Sequence, residues 1–362
     1  MTILYNIAAT WNAGGMERAL ALKANWLAAH GYKVVVATTD QRGLPSAFQM
    51  DPSIEFRDLG IEYDANNGAS FISKLVQYPL KQALHRRRLT ALLNEIKPDV
   101  TVSMFCNDAG FLPKIKDGSR KVLEIHFSRF KKLQYGRKGL WALADRWRYG
   151  ADARTAALYD KFVVLTKEDK GYWEGLDNIE VIPNSRTFTF DAPSSCTSRQ
   201  VLAVGRYDYQ KGFDLLLQAW KKIDTKGWTL RIAGGGGNLG PVPENVVTGP
   251  SKDIRQEYLN SAFYVMSSRY EGLPMVLLEA QAAGLPIVSF QCKCGPKDVV
   301  EDGVTGFLVP EGDTDGLARK MKELMEDQEL RQRMGAAAYK ASDRYETESI
   351  MKQWTDLFQG LL

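Results

Sequence analysis

Glu271 and Glu279 flank an apolar run in SRYEGLPMVLLEAQAAGLPIV, residues 268–288. Pro274 fits the first turn of a helix, where its missing N–H costs nothing. Met275 to Ala283 are good helix formers. Gly284 suits the position past the end, and Pro286 prevents continuation. The pattern predicts a helix from about Leu273 to Ala283. Its Met275, Val276, Leu277, Leu278, Ala280, Ala282 and Ala283 leave no wide polar face, which marks a buried helix. A carboxylate there, Glu279, needs a partner or an open cleft. Glu271 lies at the helix entrance, where free backbone N–H groups point outward, and Gly272 lets a ligand approach the backbone closely. Two readings follow. The stretch is the floor of a pocket for something polyhydroxylated and anionic, or Glu271 caps the helix and Glu279 pairs with a core Arg.

Other candidate residues fall at the ends of apolar runs. In NAGGME, residues 12–17, Gly14 and Gly15 can present backbone N–H groups to a phosphate or sugar at a helix start. A plain turn explains the same residues, and the dinucleotide fingerprint is incomplete. In VGRYDYQKGFD, residues 204–214, Arg206 and Lys211 lie in a loop leading into a helix. A guanidinium fork plus an ammonium there suits a diphosphate; the alternative is two solvated cations. IAGGGGNLG, residues 232–240, permits close backbone approach or is simply a flexible loop. His126, in EIHFSRF, ends a predicted strand and reads equally as a core residue or as a site residue. Asp313 and Asp315 precede a charged helix and read as caps. Cys292 and Cys294 have no nearby His, so no zinc is expected.

The elements that must position these residues alternate along the whole chain. TILYNIA, KVVVATT, DVTVSM, KVLEIHF, KFVVLT and IEVIP read as strands with helices between them, including a long helix over residues 70–96 ended by Pro98. RTFTFDAPSSCTSR, residues 186–199, is polar and reads as a linker. The alternation resumes with VLAVG, TLRIAG, NVVTG, FYVMSS, PIVSF and GFLVP. This is the signature of doubly wound parallel sheets, so the fold class is α/β, with two Rossmann-like domains facing each other across a cleft. The expected boundaries are 1–185, the linker, 200–345, and a final helix over 346–362 packing back on the N-terminal domain.

The chain has 362 residues, 44% hydrophobic and 25% charged, the composition of a soluble globular enzyme. No apolar run approaches a membrane span, and the first residues read as a strand rather than a signal peptide. A cytoplasmic protein is expected. The net charge is +4. Residues 114–148 alone hold eleven basic and three acidic side chains. Arg129, Lys131, Lys132 and Arg137 alternate there with aromatics that include Trp141 and Trp147. Such a segment suits peripheral contact with an anionic membrane, its alternative being a solvated basic face. Nucleic acid is not expected, because no nucleic-acid motif accompanies the charge.

Taken together, these motifs resemble the family-4 retaining glycosyltransferases of the GT-B fold, in a bacterial surface-polysaccharide type. The resemblance covers nearly the whole chain. Its most specific element is a Glu, seven residues and a second Glu, as in EGLPMVLLE. GRYDYQKGF, GGMERAL and CGPKDVVEDGVTGFLVPEGD support it in the family's order.

The resemblance implies that Glu271 lies at the transferred sugar. The N–H groups of Gly272 and Leu273 would hold sugar hydroxyls or phosphate, and Glu279 would accept from the ribose hydroxyls. It implies that Arg206 and Lys211 grip the diphosphate, that Gly14 and Gly15 face the donor, and that His126 lies near the sugar. It further implies a hexose or N-acetylhexosamine moved from a nucleotide-sugar to a lipid-linked or surface-glycan acceptor. Anomeric configuration would be retained by a front-face mechanism, with no metal and no other cofactor. The family's Gly-Asp-Gly turn and helix are replaced here by GGGGNLGPVPEN, in the region that recognises the base; a UDP-sugar is expected by analogy. A nucleotide-sugar 2-epimerase of the same fold, or a non-catalytic nucleotide-sugar-binding subunit, are the alternatives. Membrane docking would place the protein on the inner face of the plasma membrane.

Overall fold

In the computed structural model the described residues are 1–66, 71–134 and 139–362, without the side chains of Asn66, residues 71–75, Lys132, Gln134, residues 140–144 and residues 147–148. Arg137 therefore lies outside the described residues, as do the side chains of Lys132, Trp141 and Trp147. The chain forms two units. The first holds Met1–Leu165, Lys170–Ile182 and Met351–Leu362, and the second holds Thr166–Asp169 and Pro183–Ile350.

The first half of the chain runs β1 (Thr2–Ile7), α1 (Gly15–Ala29), β2 (Lys33–Thr38), β3 (Glu55–Asp58), α2 (Phe71–Ile96), β4 (Val100–Ser103), β5 (Arg120–Glu124), α3 (Lys131–Gln134), α4 (Leu140–Ala156), β6 (Lys161–Val164), α5 (Lys167–Tyr172) and β7 (Ile179–Val181). Its sheet has the order β3-β2-β1-β4-β5-β6-β7, and its strands pair in parallel. A parallel sheet covered on both faces needs near-continuous apolar strands, and Val34 to Ala37 of β2 are all buried. Leu4, Val35, Leu89, Leu93, Leu123 and Phe162 share the core.

The second half runs β8 (Gln200–Val204), α6 (Phe213–Trp220), β9 (Thr229–Ala233), β10 (Val246–Gly249), α7 (Ile254–Leu259), β11 (Phe263–Met266), α8 (Met275–Ala282), β12 (Ile287–Phe290), α9 (Pro296–Val299), β13 (Gly306–Val309), α10 (Thr314–Glu326), α11 (Gln328–Ala341) and α12 (Thr347–Gln359). Its sheet has the order β10-β9-β8-β11-β12-β13, again parallel. Val201, Phe213, Trp220, Leu230, Phe263 and Phe290 are among its core residues. In both sheets the order reverses beside the first strand. Loops that leave neighbouring strands there diverge and open a crevice at the carboxyl ends.

Three local details differ from the sequence reading. The edge strand β3, EFRD, is half exposed to exposed and charged; it is held by backbone pairing with β2, which has no apolar signature. Helix α8 begins at Met275, because Pro274 is the N-cap with an extended ψ of 106° and its carbonyl accepts from Leu277 N–H. Residues 186–199 are irregular, as expected of a linker, yet they are strapped to the second unit. Arg186 donates to Ser342 and Glu346, Tyr339 donates to the Phe190 carbonyl, and Arg331 donates to the Cys196 carbonyl. Tertiary hydrogen bonds of this kind leave no trace in local composition.

Candidate active site

The second unit's crevice opens between β8 and β11. The loop after β8 carries Lys211, and the loop after β11 carries Glu271. Lys211 Nζ lies 2.8 Å from Glu271 Oε1, with side-chain exposures of 16% and 8%. Gln210 donates to the Tyr270 carbonyl and reaches Glu271 Oε2 at 3.4 Å. Gln210 was not singled out from the sequence; only the fold brings its loop beside Glu271. The backbone N–H groups of Gly272 and Leu273 have no acceptor among the described residues. An ammonium, a carboxylate and two free N–H donors beside α8 can bind a polyol and an anion at one place.

Two glycines shape this ground. Gly212 caps α6 with φ +61°, and a Cβ there would meet the Ser267 carbonyl oxygen at 2.1 Å. That close approach lets the β8 and β11 loops touch, and Ser267 Oγ donates to the Lys211 carbonyl. Gly295 has φ +94°, and a Cβ would lie 2.7 Å from the Gly272 oxygen and 2.3 Å from Pro274 Cδ. The CGP turn therefore presses directly on the EGLP turn, so two of the family-like motifs form one packed unit.

Glu279 is 2% exposed, and its Oε2 accepts from the Tyr258 hydroxyl at 2.8 Å. This partner is a Tyr from α7, which the sequence reading did not single out. Arg206 does not join the Lys211–Glu271 pair. Its side chain is 74% exposed and lies 3.3 Å from Asp208 Oδ2, while Asp208 Oδ1 accepts from Lys211 N–H. The glycine run after β9 is closed by Tyr207, whose hydroxyl donates to the Ile232 carbonyl and accepts from Gly249 N–H. No helix forms between Gly234 and Asn245. Asp313 caps α10 by accepting from Gly316 N–H. Among the described residues no group of three or more His, Cys, Asp and Glu side chains is placed to hold a metal.

In the first unit, Gly14 is the N-cap of α1 and Gly15 its first residue. His126 follows β5. Its Nε2 lies 2.8 Å from Glu124 Oε1, both side chains being almost fully buried, although the approach lacks hydrogen-bond alignment. Glu124 is also gripped through both oxygens by Lys23 of α1, whose Nζ lies over the Trp354 ring at 4.2 Å. Burial works against the Glu124 charge, but Lys23 and His126 overcome it and hold the carboxyl at about 2. Lys23 and Glu124 were invisible as site residues in the sequence because they lie in separate elements; the one local signal was a Glu two positions before His126. Arg129 and Lys131, expected on a membrane-facing surface, are half-buried against aromatic rings. Arg129 stacks over Tyr149 and Trp173 at 4.8 and 4.9 Å, and Lys131 over Phe127 at 4.2 Å.

Two Rossmann-like units of this strand order define a GT-B fold. The description "Glycosyltransferase Family 4" matches residues 13–185, and "Glycosyl transferases group 1" matches residues 185–341. The chain belongs to glycosyltransferase family 4, a class of enzymes that transfer sugars. It is 36% identical over 220 residues to the amylovoran biosynthesis glycosyltransferase AmsD of Erwinia amylovora, an alignment covering 55% of this chain and 62% of that protein. The chain thus spans less than two thirds of AmsD. An uncharacterised glycosyltransferase of Haemophilus influenzae is 28% identical over 95% of this chain and 96% of its own. A Campylobacter jejuni α-1,4-N-acetyl-D-galactosaminyltransferase, named for a diphospho-undecaprenol-linked GalNAc substrate, is 25% identical over 97% and 96%. Among solved structures, sucrose-phosphate synthase of Thermosynechococcus elongatus matches with a TM-score of 0.83 over 99% of this chain and 98% of that one, at 17% identity; this likeness concerns the fold.

Proposed function

We propose that the protein is a retaining glycosyltransferase that moves a hexose or N-acetylhexosamine from a nucleotide-sugar, first of all a UDP-sugar, to a growing lipid-linked or surface glycan, without a metal. The observation that carries this reading is the 2.8 Å Lys211–Glu271 pair beside the free N–H groups of Gly272 and Leu273. The ammonium offsets charge on the diphosphate as it leaves, the role a metal plays elsewhere. Glu271 accepts from hydroxyls of the transferred sugar. Arg206 reaches the diphosphate by leaving Asp208, a rotation its exposure permits. In the transfer the bond from the anomeric carbon to the phosphate oxygen breaks. The acceptor oxygen bonds to the same face, and its proton passes to the departing phosphate. The names of AmsD and of the Campylobacter enzyme support a glycan product and a polyprenyl diphosphate acceptor.

The test is a thermal-shift and turnover screen of UDP-, GDP- and ADP-sugars with and without EDTA. A ligand bound by the native state raises the melting temperature by mass action. The expected result is a shift by one nucleotide family that persists in EDTA, with acceptor-dependent release of nucleotide and an α-linked product from an α-linked donor. Nucleotide release without any acceptor, yielding free 2-epimer, would show an epimerase instead. Loss of the shift in EDTA would overturn metal independence.

A further inference from the structure

The segment after β6 supplies a contact to the site that no motif marked. Thr166–Asp169 belongs to the second unit, although the chain on either side of it belongs to the first. It opens α5, where Asp169 N–H donates to Thr166 Oγ1. Two acidic side chains of that turn both reach Cys294, just before α9. Glu168 Oε2 accepts from Cys294 N–H at 3.1 Å, and Asp169 Oδ1 accepts from the Cys294 thiol at 3.3 Å. One carboxylate thus holds the backbone of Cys294 and the next holds its side chain. Beside them, Asp298 Oδ1 accepts from Lys167 N–H at 2.8 Å, and Lys297 Nζ lies 3.7 Å from Glu168 Oε1. Cys294 and Asp169 are buried, so water competes little for these bonds.

Cys294 needs such a grip. Its φ is +67°, in the left-handed region that strains a side chain and persists only where the surroundings enforce it. Gly295 follows, and a Cβ on it would lie 2.7 Å from the Gly272 oxygen. That oxygen belongs to the same planar trans peptide unit as Leu273 N–H, so the two point in opposite directions across one rigid plane. Whatever fixes the Gly272 oxygen therefore fixes the direction of a free N–H of the site. The Cys292 thiol feels both pieces of chain at once. Burial pushes it up first of all, and the charges of Glu271, Glu311 and Glu168 push it further while that of Lys211 opposes them.

We propose that Glu168 and Asp169 are positioning residues for sugar transfer: through Cys294 and Gly295 they set the plane of the Gly272–Leu273 peptide, and so the direction in which Leu273 N–H meets the donor. The proposal rests on the reading that this N–H binds the nucleotide-sugar. Neither carboxylate touches the donor; each acts through the turn.

The test is steady-state transfer by the full chain, together with the amide resonance of Leu273 in protein carrying isotope-labelled leucine, identified by its absence from Leu273→Met. The variants are Glu168→Ala/Asp169→Ala, Glu168→Gln/Asp169→Asn and, as control, Tyr339→Phe, which loses a hydrogen bond to the Phe190 carbonyl. The alanine pair is expected to shift the Leu273 resonance and to lower kcat/KM for the donor about 10- to 100-fold, the scale of a small misplacement, with the acceptor KM unchanged. The Gln/Asn pair keeps an acceptor oxygen for the Cys294 N–H and for its thiol, and should recover the wild-type resonance and most of the turnover. The single variant Glu168→Ala, at a side chain 16% exposed, should move both readouts the same way by less, and decides the matter if the alanine pair fails to fold. Tyr339→Phe should lower the melting temperature and leave kcat/KM unchanged. An unmoved Leu273 resonance or a wild-type kcat/KM in the alanine variants overturns the proposal. So does equal impairment of the Gln/Asn pair, which would make charge rather than grip the agent. A loss in Tyr339→Phe that matches the alanine pair overturns it too, by reducing both to lost stability. A shifted resonance in a protein that transfers no sugar leaves the grip on the turn intact and counts against the transferase reading alone.

Discussion

Lys211 Nζ meets Glu271 Oε1 at 2.8 Å although sixty positions separate the two residues in the chain. The pair forms because β8 and β11 are neighbours at the point where the sheet reverses its strand order. Removing one partner of a largely buried pair leaves the other uncompensated. Lys211→Met is therefore expected to cost about 3 kcal/mol of stability and to lower turnover about 10²- to 10³-fold, as for loss of a group that stabilises developing charge. Urea unfolding and nucleotide release at saturating donor measure the two effects. Unchanged turnover in a folded Lys211→Met protein would remove this residue from the mechanism.

The Tyr258–Glu279 hydrogen bond offers a second test. If Glu279 binds the nucleotide, Glu279→Ala weakens donor binding more than Glu271→Ala in calorimetry. Tyr258→Phe frees one lone pair of Glu279 and is expected to destabilise the fold by about 1–3 kcal/mol. Equal donor affinities of the two Glu variants would confine Glu279 to a structural role.

Buried Lys23 and Glu124 form a pair of the first unit whose loss should be asymmetric. Lys23→Met strands a buried carboxylate and is expected to cost about 3–5 kcal/mol. Lys23→Met combined with Glu124→Leu removes both charges and should cost much less. Denaturant midpoints of the two variants decide it; additive losses would mean that the two residues act independently.

Asp108 makes stability depend on pH in a particular direction. It follows β4 and is fully buried near Asn6 and Ser103, which face each other across β1 and β4. Burial pushes its carboxyl up to about 6, above the roughly 3.9 of an unfolded chain. The folded state therefore holds the proton more tightly. This contribution is complete below about pH 4 and is lost as pH rises through 6. A shift of about two units corresponds to at most about 3 kcal/mol. Asp108→Asn should flatten the stability profile between pH 4 and 7, and melting temperatures across that range would show it. A wild-type profile equally steep in the variant would assign the dependence to another group.

The alternation of apolar runs and helical patterns determined the two doubly wound sheets, because strand and helix periodicities are local properties of the chain. The same local signals marked Glu271, Lys211 and the glycine turns at strand ends. Edge strand β3 escaped because it has no apolar signature: backbone pairing with β2 and polar contacts such as Arg57 to Glu95 hold it. Only the tertiary structure decided which marked residues meet. It joined Lys211 to Glu271, turned Arg206 outward to Asp208, gave Glu279 a tyrosine, and put Lys23 behind Glu124 and His126. It also strapped residues 186–199 to the second unit. These are contacts across tens to more than a hundred residues, set by which strands lie side by side and which glycines let their loops touch; neither is a property of any single segment.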